Sequence, residues 1–278
     1  MLTTSDHRRD SAGLTYVYPV VSRRAGGVSL GINLNINNAC NWACVYCQVE
    51  GLTRGGPPPV DLPRLRVELE QMLDAICAGD FLRQQVAEEA RRLVDVAFSG
   101  NGEPTSAAEF AGAVELVRDA LEARGLLPAV KIRLITNGSL LHRPAVQRGV
   151  ELIGEAGGEV WFKLDRAGEA ATRAVNGVPQ SAQPVLRRLR ACIALAPTWV
   201  QTCWFGIDGA APSVDERAAY CDLLGEVAGG VAGVHLYGLA RPSMQPQAGR
   251  LLRLPQAALA EFAEEIQKKT GVRVIINP

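Results

Sequence analysis

Short runs rich in Val, Ile, Phe and Trp alternate along this chain with longer helical patterns, and that alternation restricts the fold to a parallel α/β sheet. The pattern predicts strands over 28–36, 93–99, 130–136, 159–165, 198–205 and 233–239. Helices are predicted over 61–77, 107–124, 142–156, 181–195, 213–228 and 255–269, and a last strand runs from Val272 to Ile276. A length of 278 residues suits one α/β domain, with 1–27 as an N-terminal extension. The Gly/Pro-rich stretch 54–60 is a loop, too short for an inter-domain linker.

The strands carry two unlike faces. Leu30, Ile32, Leu34 and Ile36 alternate with Asn33, Asn35 and Asn37, and Val94, Val96 and Phe98 with Asp95, Ala97 and Ser99. Further on, Ile132 and Leu134 oppose Lys131, Arg133 and Asn137, while Val160, Phe162 and Leu164 oppose Glu159, Trp161, Lys163 and Asp165. In a sheet curled into a barrel the apolar faces go to the helices and the polar faces point inward. Asp95, Lys131, Arg133 and Glu159 lie early in their strands and are expected to neutralise one another at the bottom, since burying one alone costs several kcal/mol. Asn35, Ser99, Asn137, Lys163, Asp165, Gln201, Tyr237 and Arg241 lie late, at the end where barrel enzymes work.

Twenty-nine basic and 29 acidic side chains cancel, so nucleic acid gains no bulk attraction and remains open only through a local patch. Arg91-Arg92 and Arg187-Arg188-x-Arg190 are the basic clusters, on or near helices, where charge solvates an outer face. The first residues lack a signal-peptide apolar core, and no apolar stretch has membrane-spanning length. A cytoplasmic chain with reduced thiols and no membrane partner is expected.

Cys40, Cys44 and Cys47 stand in the run Cys-Asn-Trp-Ala-Cys-Val-Tyr-Cys. Four thiolates usually close an iron–sulfur cube, so three would leave one iron open to another ligand. A structural zinc site wants four ligands, and His7, His142 and His235 lie far from the cluster in sequence. Seven cysteines is an odd number and rules against a disulfide framework. Cys77, Cys192 and Cys221 fall on helices as packing residues. Cys203 faces the lumen, where its thiol is a candidate catalytic hydrogen donor.

By its CxxxCxxC spacing the chain resembles the radical S-adenosylmethionine (radical SAM) superfamily. Ser99-Gly100-Asn101-Gly102-Glu103-Pro104-Thr105 is similar to that family's GGEP motif, and Leu134-Ile-Thr-Asn-Gly138 and Lys163-Leu-Asp165 end strands as in the family. The resemblance implies a partial (βα)6 barrel and a [4Fe–4S] cluster on Cys40, Cys44 and Cys47. It also implies S-adenosylmethionine (AdoMet) held by Tyr46, Ser99, Gly100, Asn101, Gly102, Glu103, Asn137, Lys163 and Asp165, with Tyr46 near adenine and Glu103 accepting from the ammonium group. Asn101 departs from the usual glycine and adds a side chain beside the methionyl group. Ser22 to Ile32, Tyr46-Cys-Gln48 and Leu239-Ala-Arg-Pro242 resemble the branch related to wyosine-type tRNA modification.

The implied activity is reductive cleavage of AdoMet to a 5′-deoxyadenosyl radical that takes hydrogen from a substrate. A flavodoxin or ferredoxin would supply the electron. An activase acting on a partner protein, a tRNA base-modifying enzyme and an iron–sulfur electron carrier are the alternatives. Gln201, Tyr237 and Arg241 are candidate substrate contacts, and 241–249 is a candidate lid. Arg23 and Arg24 are candidates to touch the cluster loop, and His235 is expected in the bottom polar layer.

Overall fold

The structure is a computed structural model, and it describes Leu2 and residues 12–22 and 26–277. The strands are β1 (Val17–Ser22), β2 (Gly27–Ile32), β3 (Ala39–Cys40), β4 (Thr53–Arg54), β5 (Leu93–Phe98), β6 (Lys131–Thr136), β7 (Glu159–Lys163), β8 (Thr198–Cys203), β9 (Gly206–Ile207), β10 (Gly233–Tyr237), β11 (Leu251–Leu252) and β12 (Val274–Asn277). The helices are α1 (Leu62–Cys77), α2 (Phe81–Gln85), α3 (Phe110–Glu122), α4 (Pro144–Glu155), α5 (Glu169–Asn176), α6 (Ala182–Leu195), α7 (Val214–Gly225) and α8 (Gln256–Thr270). No helix among the described residues is long and apolar enough to cross a membrane.

Eight strands make one sheet in the order β1-β2-β5-β6-β7-β8-β10-β12. From β2 onward they pair in parallel, and β1 is antiparallel to β2. The sheet curls into a partial barrel, so that Tyr18 and Val20 on one edge strand and Asn277 on the other line the same central cavity. The outward faces are apolar and fully buried at Leu30, Ile32, Val96, Phe98, Ile132, Leu134, Val160, Phe162, Val200 and Leu236, as the alternation predicts. Ile36 departs from it: the chain leaves the ladder after Ile32, and Ile36 is 39% exposed.

The extension expected over 1–27 contains a strand of the sheet. Glu68 on α1 holds its start, accepting the Tyr16 N–H at 2.7 Å and the Thr15 N–H at 3.0 Å. Pro19 stands in β1, an edge strand, where a missing donor is tolerated. Gly31 on β2 leaves an inward position without a side chain, and the Tyr18 ring fills it; a Cβ on Gly31 would lie 2.0 Å from Tyr18 Cζ. The Tyr18 hydroxyl then comes within 3.0 Å of Ser99 Oγ.

The expected bottom layer forms with three of its four members. Arg133 pairs with Asp95 through Nη1 and with Glu159 through Nε at 2.7 Å, and Ser29 donates to Asp95. Lys131 stays out of these pairs: its ammonium donates to Gly157 O at 2.9 Å. His235 stands there in an aromatic sandwich, its ring centroid 4.4 Å from Trp199 and 4.7 Å from Trp161. Arg273 covers Trp199 and Arg133 covers Trp161, extending the stack across the barrel floor. Cys192 and Cys221 are buried as packing residues, but Cys77, on the last turn of α1, is exposed.

Candidate active site

The segment carrying the three cysteines runs over the mouth of the barrel. Side chains from strand ends fasten it. Asn35 Nδ2 donates to Ala39 O at 2.9 Å, and Asn137 Nδ2 donates to Asn41 Oδ1 at 2.8 Å. The end of α5 takes the next turn, with Ala43 N donating to Asn176 O at 3.0 Å and Val45 N to Val175 O at 2.9 Å. Tyr46 donates to Asp165 Oδ2 at 2.6 Å, and Asn176 Nδ2 donates both to that oxygen at 2.8 Å and to Cys44 Sγ at 3.3 Å.

Cys40, Cys44 and Cys47 line one cavity of about 480 Å³, and none is in a disulfide. Burial pushes the Cys40 thiol up to about 11 and the Cys44 thiol up to about 12. Deprotonated sulfur there therefore calls for a cation, which iron supplies. Among the described residues no three His, Cys, Asp or Glu side chains converge on the place of a single ion. A cube makes a different demand, since each thiolate takes a separate iron. N–H donors already aim at sulfur, from Asn176 to Cys44 and from Trp42 N to Cys40 Sγ at 3.5 Å. The donor set and its surroundings fit a [4Fe–4S] cluster.

The loop after β5 lies against the cysteine segment. A Cβ on Gly102 would fall 2.1 Å from Ala39 O, and one on Gly100 would fall 2.3 Å from Asn33 Oδ1, so both positions need glycine. Asn33 Oδ1 accepts from Asn101 N at 3.0 Å, and Asn101 Nδ2 donates to Asn38 Oδ1 at 2.7 Å, tying loop to loop. Glu103 is buried. Its Oε1 accepts from the Thr105 and Thr136 hydroxyls, each at 2.6 Å, while Oε2 accepts only from Asn137 N at 2.7 Å. Burial pushes its pKa above the usual carboxylate range, against those donors. One lone pair of Oε2 is left for a ligand.

Lys163, Gln201, Cys203, Tyr237 and Arg241 line the same cavity as the cysteines. Lys163 Nζ sits 5.0 Å from the Tyr46 ring centroid and forms no hydrogen bond or ion pair among the described residues. Burial works to lower its pKa, but Tyr237, Asp165, Cys44 and Cys203 around it hold it above the usual ammonium range. Asp165 differs from the sequence expectation in its orientation. It does not line the cavity, and its carboxylate is taken up by Tyr46, Asn176 and the Cys203 N–H. It acts on the site through the loop it holds.

The stretch 241–249, expected as a lid, is fastened to the cysteine segment. Ser243 Oγ donates to Val45 O at 2.7 Å and to Cys47 O at 3.3 Å, and Met244 N donates to Cys47 O at 2.9 Å. Gln245 Nε2 donates to Val49 O at 2.8 Å and Cys47 O at 3.2 Å, and Arg241 Nη1 donates to Gln48 Oε1 at 3.0 Å. Each net hydrogen bond contributes about 1 kcal/mol, so Ser243→Ala with Gln245→Ala should speed amide exchange over 43–49 by about tenfold or more. Unchanged exchange there would mean the backbone bond of Met244 holds the loop unaided.

Asn176 and Tyr18 join the site without a warning in the sequence, whereas Thr136 stands in the Leu134–Gly138 motif and Ser243 and Gln245 in the stretch 241–249. Only Gly177 after Asn176, a helix-ending glycine in the left-handed region, marks α5. Arg23 and Arg24 lie outside the described residues. The basic clusters on the helices are engaged locally, with Arg190 paired to Glu226 and Arg91 bonded to Val86 O.

No family model matches the chain. Over 135 residues, 48% of this chain, it is 30% identical to a UPF0026 protein of Helicobacter pylori strain 26695, and the match covers 38% of that relative. The counterpart in strain J99 is 29% identical over the same lengths. The match thus spans well under two thirds of these relatives. Among solved structures, a radical SAM methyltransferase from Sphaerobacter thermophilus superposes with a TM-score of 0.60 at 13% identity, covering 94% of this chain and 68% of that one. A structure of anSMEcpe with bound AdoMet gives 0.57 at 18% identity, covering 88% and 62%. HydG, a maturase of the [FeFe]-hydrogenase, gives 0.54 at 10% identity, covering 88% and 50%. Identities this low establish the fold.

Proposed function

We propose that this chain, whose fold is that of the radical SAM enzymes, binds a [4Fe–4S] cluster on Cys40, Cys44 and Cys47 and cleaves AdoMet reductively to start radical chemistry on a substrate in its lumen. The observation that carries this reading is the convergence of three unpaired thiols, the Gly100–Glu103 loop and the Lys163 cation on one cavity. Held by Cys40, Cys44 and Cys47 and by the Gly100–Glu103 loop and Lys163, cluster and AdoMet would supply one-electron radical chemistry, with hydrogen abstraction from an unactivated C–H bond as its outcome.

The chain's own residues do the positioning. Lys163, charged and without a hydrogen bond among the described residues, takes the AdoMet carboxylate. Glu103 Oε2 accepts from the ammonium group with its remaining lone pair. Gly100 and Gly102 let their loop pack against the cysteine segment and line the cavity beside the methionyl chain, and Tyr46, clasped by Asp165, is fixed as a flat wall for adenine. Ser243 and Gln245 hold the rim of the mouth in place and keep water from the reacting carbon. A one-electron reductant of the flavodoxin or ferredoxin kind completes the system.

The test is anaerobic reconstitution with iron and sulfide, titration calorimetry with AdoMet, and 5′-deoxyadenosine analysis after dithionite. AdoMet binding with 5′-deoxyadenosine release is the expected result. A cluster-loaded protein that fails to bind AdoMet would overturn the reading.

A further inference from the structure

Among the described residues that line the lumen, Gln201 carries an amide that the proposed cofactors leave without a task. It is 2% exposed, lines the cavity, and forms no hydrogen bond among the described residues. Its amide atoms are not sealed off, so its small accessible surface is its polar tip facing the cavity. An occupant of the cavity that covered this amide without bonding to it would cost about 1–3 kcal/mol. A side chain of this kind, held in the wall of a cavity, marks a ligand.

The place of Gln201 in the sheet narrows the class of that ligand. It pairs in register with Lys163 on β7 and with His235 on β10, one step below Cys203 and Tyr237. Lys163 is assigned to the AdoMet carboxylate, and Arg133, deeper in the lumen, is already paired with two carboxylates. Among the described residues no uncommitted charge lines the lumen at this level. The carboxamide itself offers two N–H donors and a carbonyl acceptor. A carboxylate would satisfy only the donors, and an ammonium group only the acceptor. A primary amide or a lactam satisfies both at once, as Gln does with the donor–acceptor edge of adenine. Tyr237 lines the same cavity and adds an aromatic wall for an unsaturated ring. The volume of about 480 Å³ must also house AdoMet, which restricts the lumen part of the substrate to a small group.

We infer that Gln201 is the specificity-determining residue of a substrate subsite for a small planar amide or lactam. The inference rests on the radical SAM reading of the upper cavity, and its test separates the two. Reconstituted protein with AdoMet bound is titrated with nicotinamide and 2-pyridone, and with nicotinate, pyridine and 3-amidinopyridine as controls. AdoMet affinity is measured on every variant.

Nicotinamide and 2-pyridone should bind at least about tenfold more tightly than nicotinate and pyridine. Gln201→Ala should erase that preference while AdoMet affinity stays within about twofold. Gln201→Glu should turn the preference toward 3-amidinopyridine, which a merely structural role would not do. Absence of an amide preference, its survival in Q201A, or a parallel loss of AdoMet affinity in Q201A would each overturn the subsite. A Gln201-dependent amide preference in a protein that does not bind AdoMet would keep the subsite and overturn the radical SAM reading instead.

Discussion

Single alanine replacements at Cys40, Cys44 and Cys47 are each expected to reduce 5′-deoxyadenosine formation to the level of a protein-free control. Each removes one of three thiolates, and a cube held by two has too few protein ligands to persist. The fold should survive, because most of the bonds that fasten the loop, through Asn35, Asn137, Val175, Asn176, Ser243 and Gln245, do not involve sulfur. Urea denaturation of the iron-free variants should stay within about 1.5 kcal/mol of the parent. Iron and sulfide analysis beside the activity assay checks both halves. An alanine variant that keeps its iron and its activity would remove that cysteine from the ligand set.

The largest stability effect is expected at Arg133→Met. The guanidinium stands between Asp95 and Glu159, and side-chain exposure is only 14%, 3% and 13% for the three. Removing the cation leaves two buried carboxylates facing each other, which costs about 3–5 kcal/mol. Adding Asp95→Asn and Glu159→Gln to the same protein should restore more than half of the loss, since neither new side chain carries a charge. Urea midpoints across the series measure this. A loss below about 1 kcal/mol for R133M would mean that water screens the pairs as it does at a surface.

Both expectations start from residues whose meaning was legible in the sequence. Period-two alternation placed Asp95, Arg133, Lys163 and Gln201 on the inward face because a strand's two sides meet different solvents, and the structure keeps that parity at every one of these positions. Strand ends were less legible. The pattern ran on through Ile36, Asp165 and Phe205, where the chain has already left the ladder to cross the mouth of the barrel.

β1 has no clear strand signal in the sequence because Pro19 interrupts its apolar run, and what secures it is Glu68, on a helix about fifty residues away. α5 is eight residues long, too short for a clear helical period. Asn176 reaches Cys44 across 132 residues, and Gln245 reaches Cys47 across 198. Contacts at such separations leave no local pattern. Lys131 had the charge and the strand position of an ion-pair partner, yet a nearby carbonyl satisfied it first.

The fastening of the cysteine segment also sets an order of events in the life of the chain. Its tethers come from Asn35, Asn137, Asn176 and finally Ser243 to Gln245. During synthesis the three thiols emerge early, but the last clasp over them is made some two hundred residues later. Iron offered to a half-made chain meets loose thiols on an unassembled loop, and iron offered to the finished barrel meets a shaped pocket. With the cluster bound as proposed, metal loading is expected to follow folding. Iron content per chain becomes a gauge of whether the C-terminal third has docked.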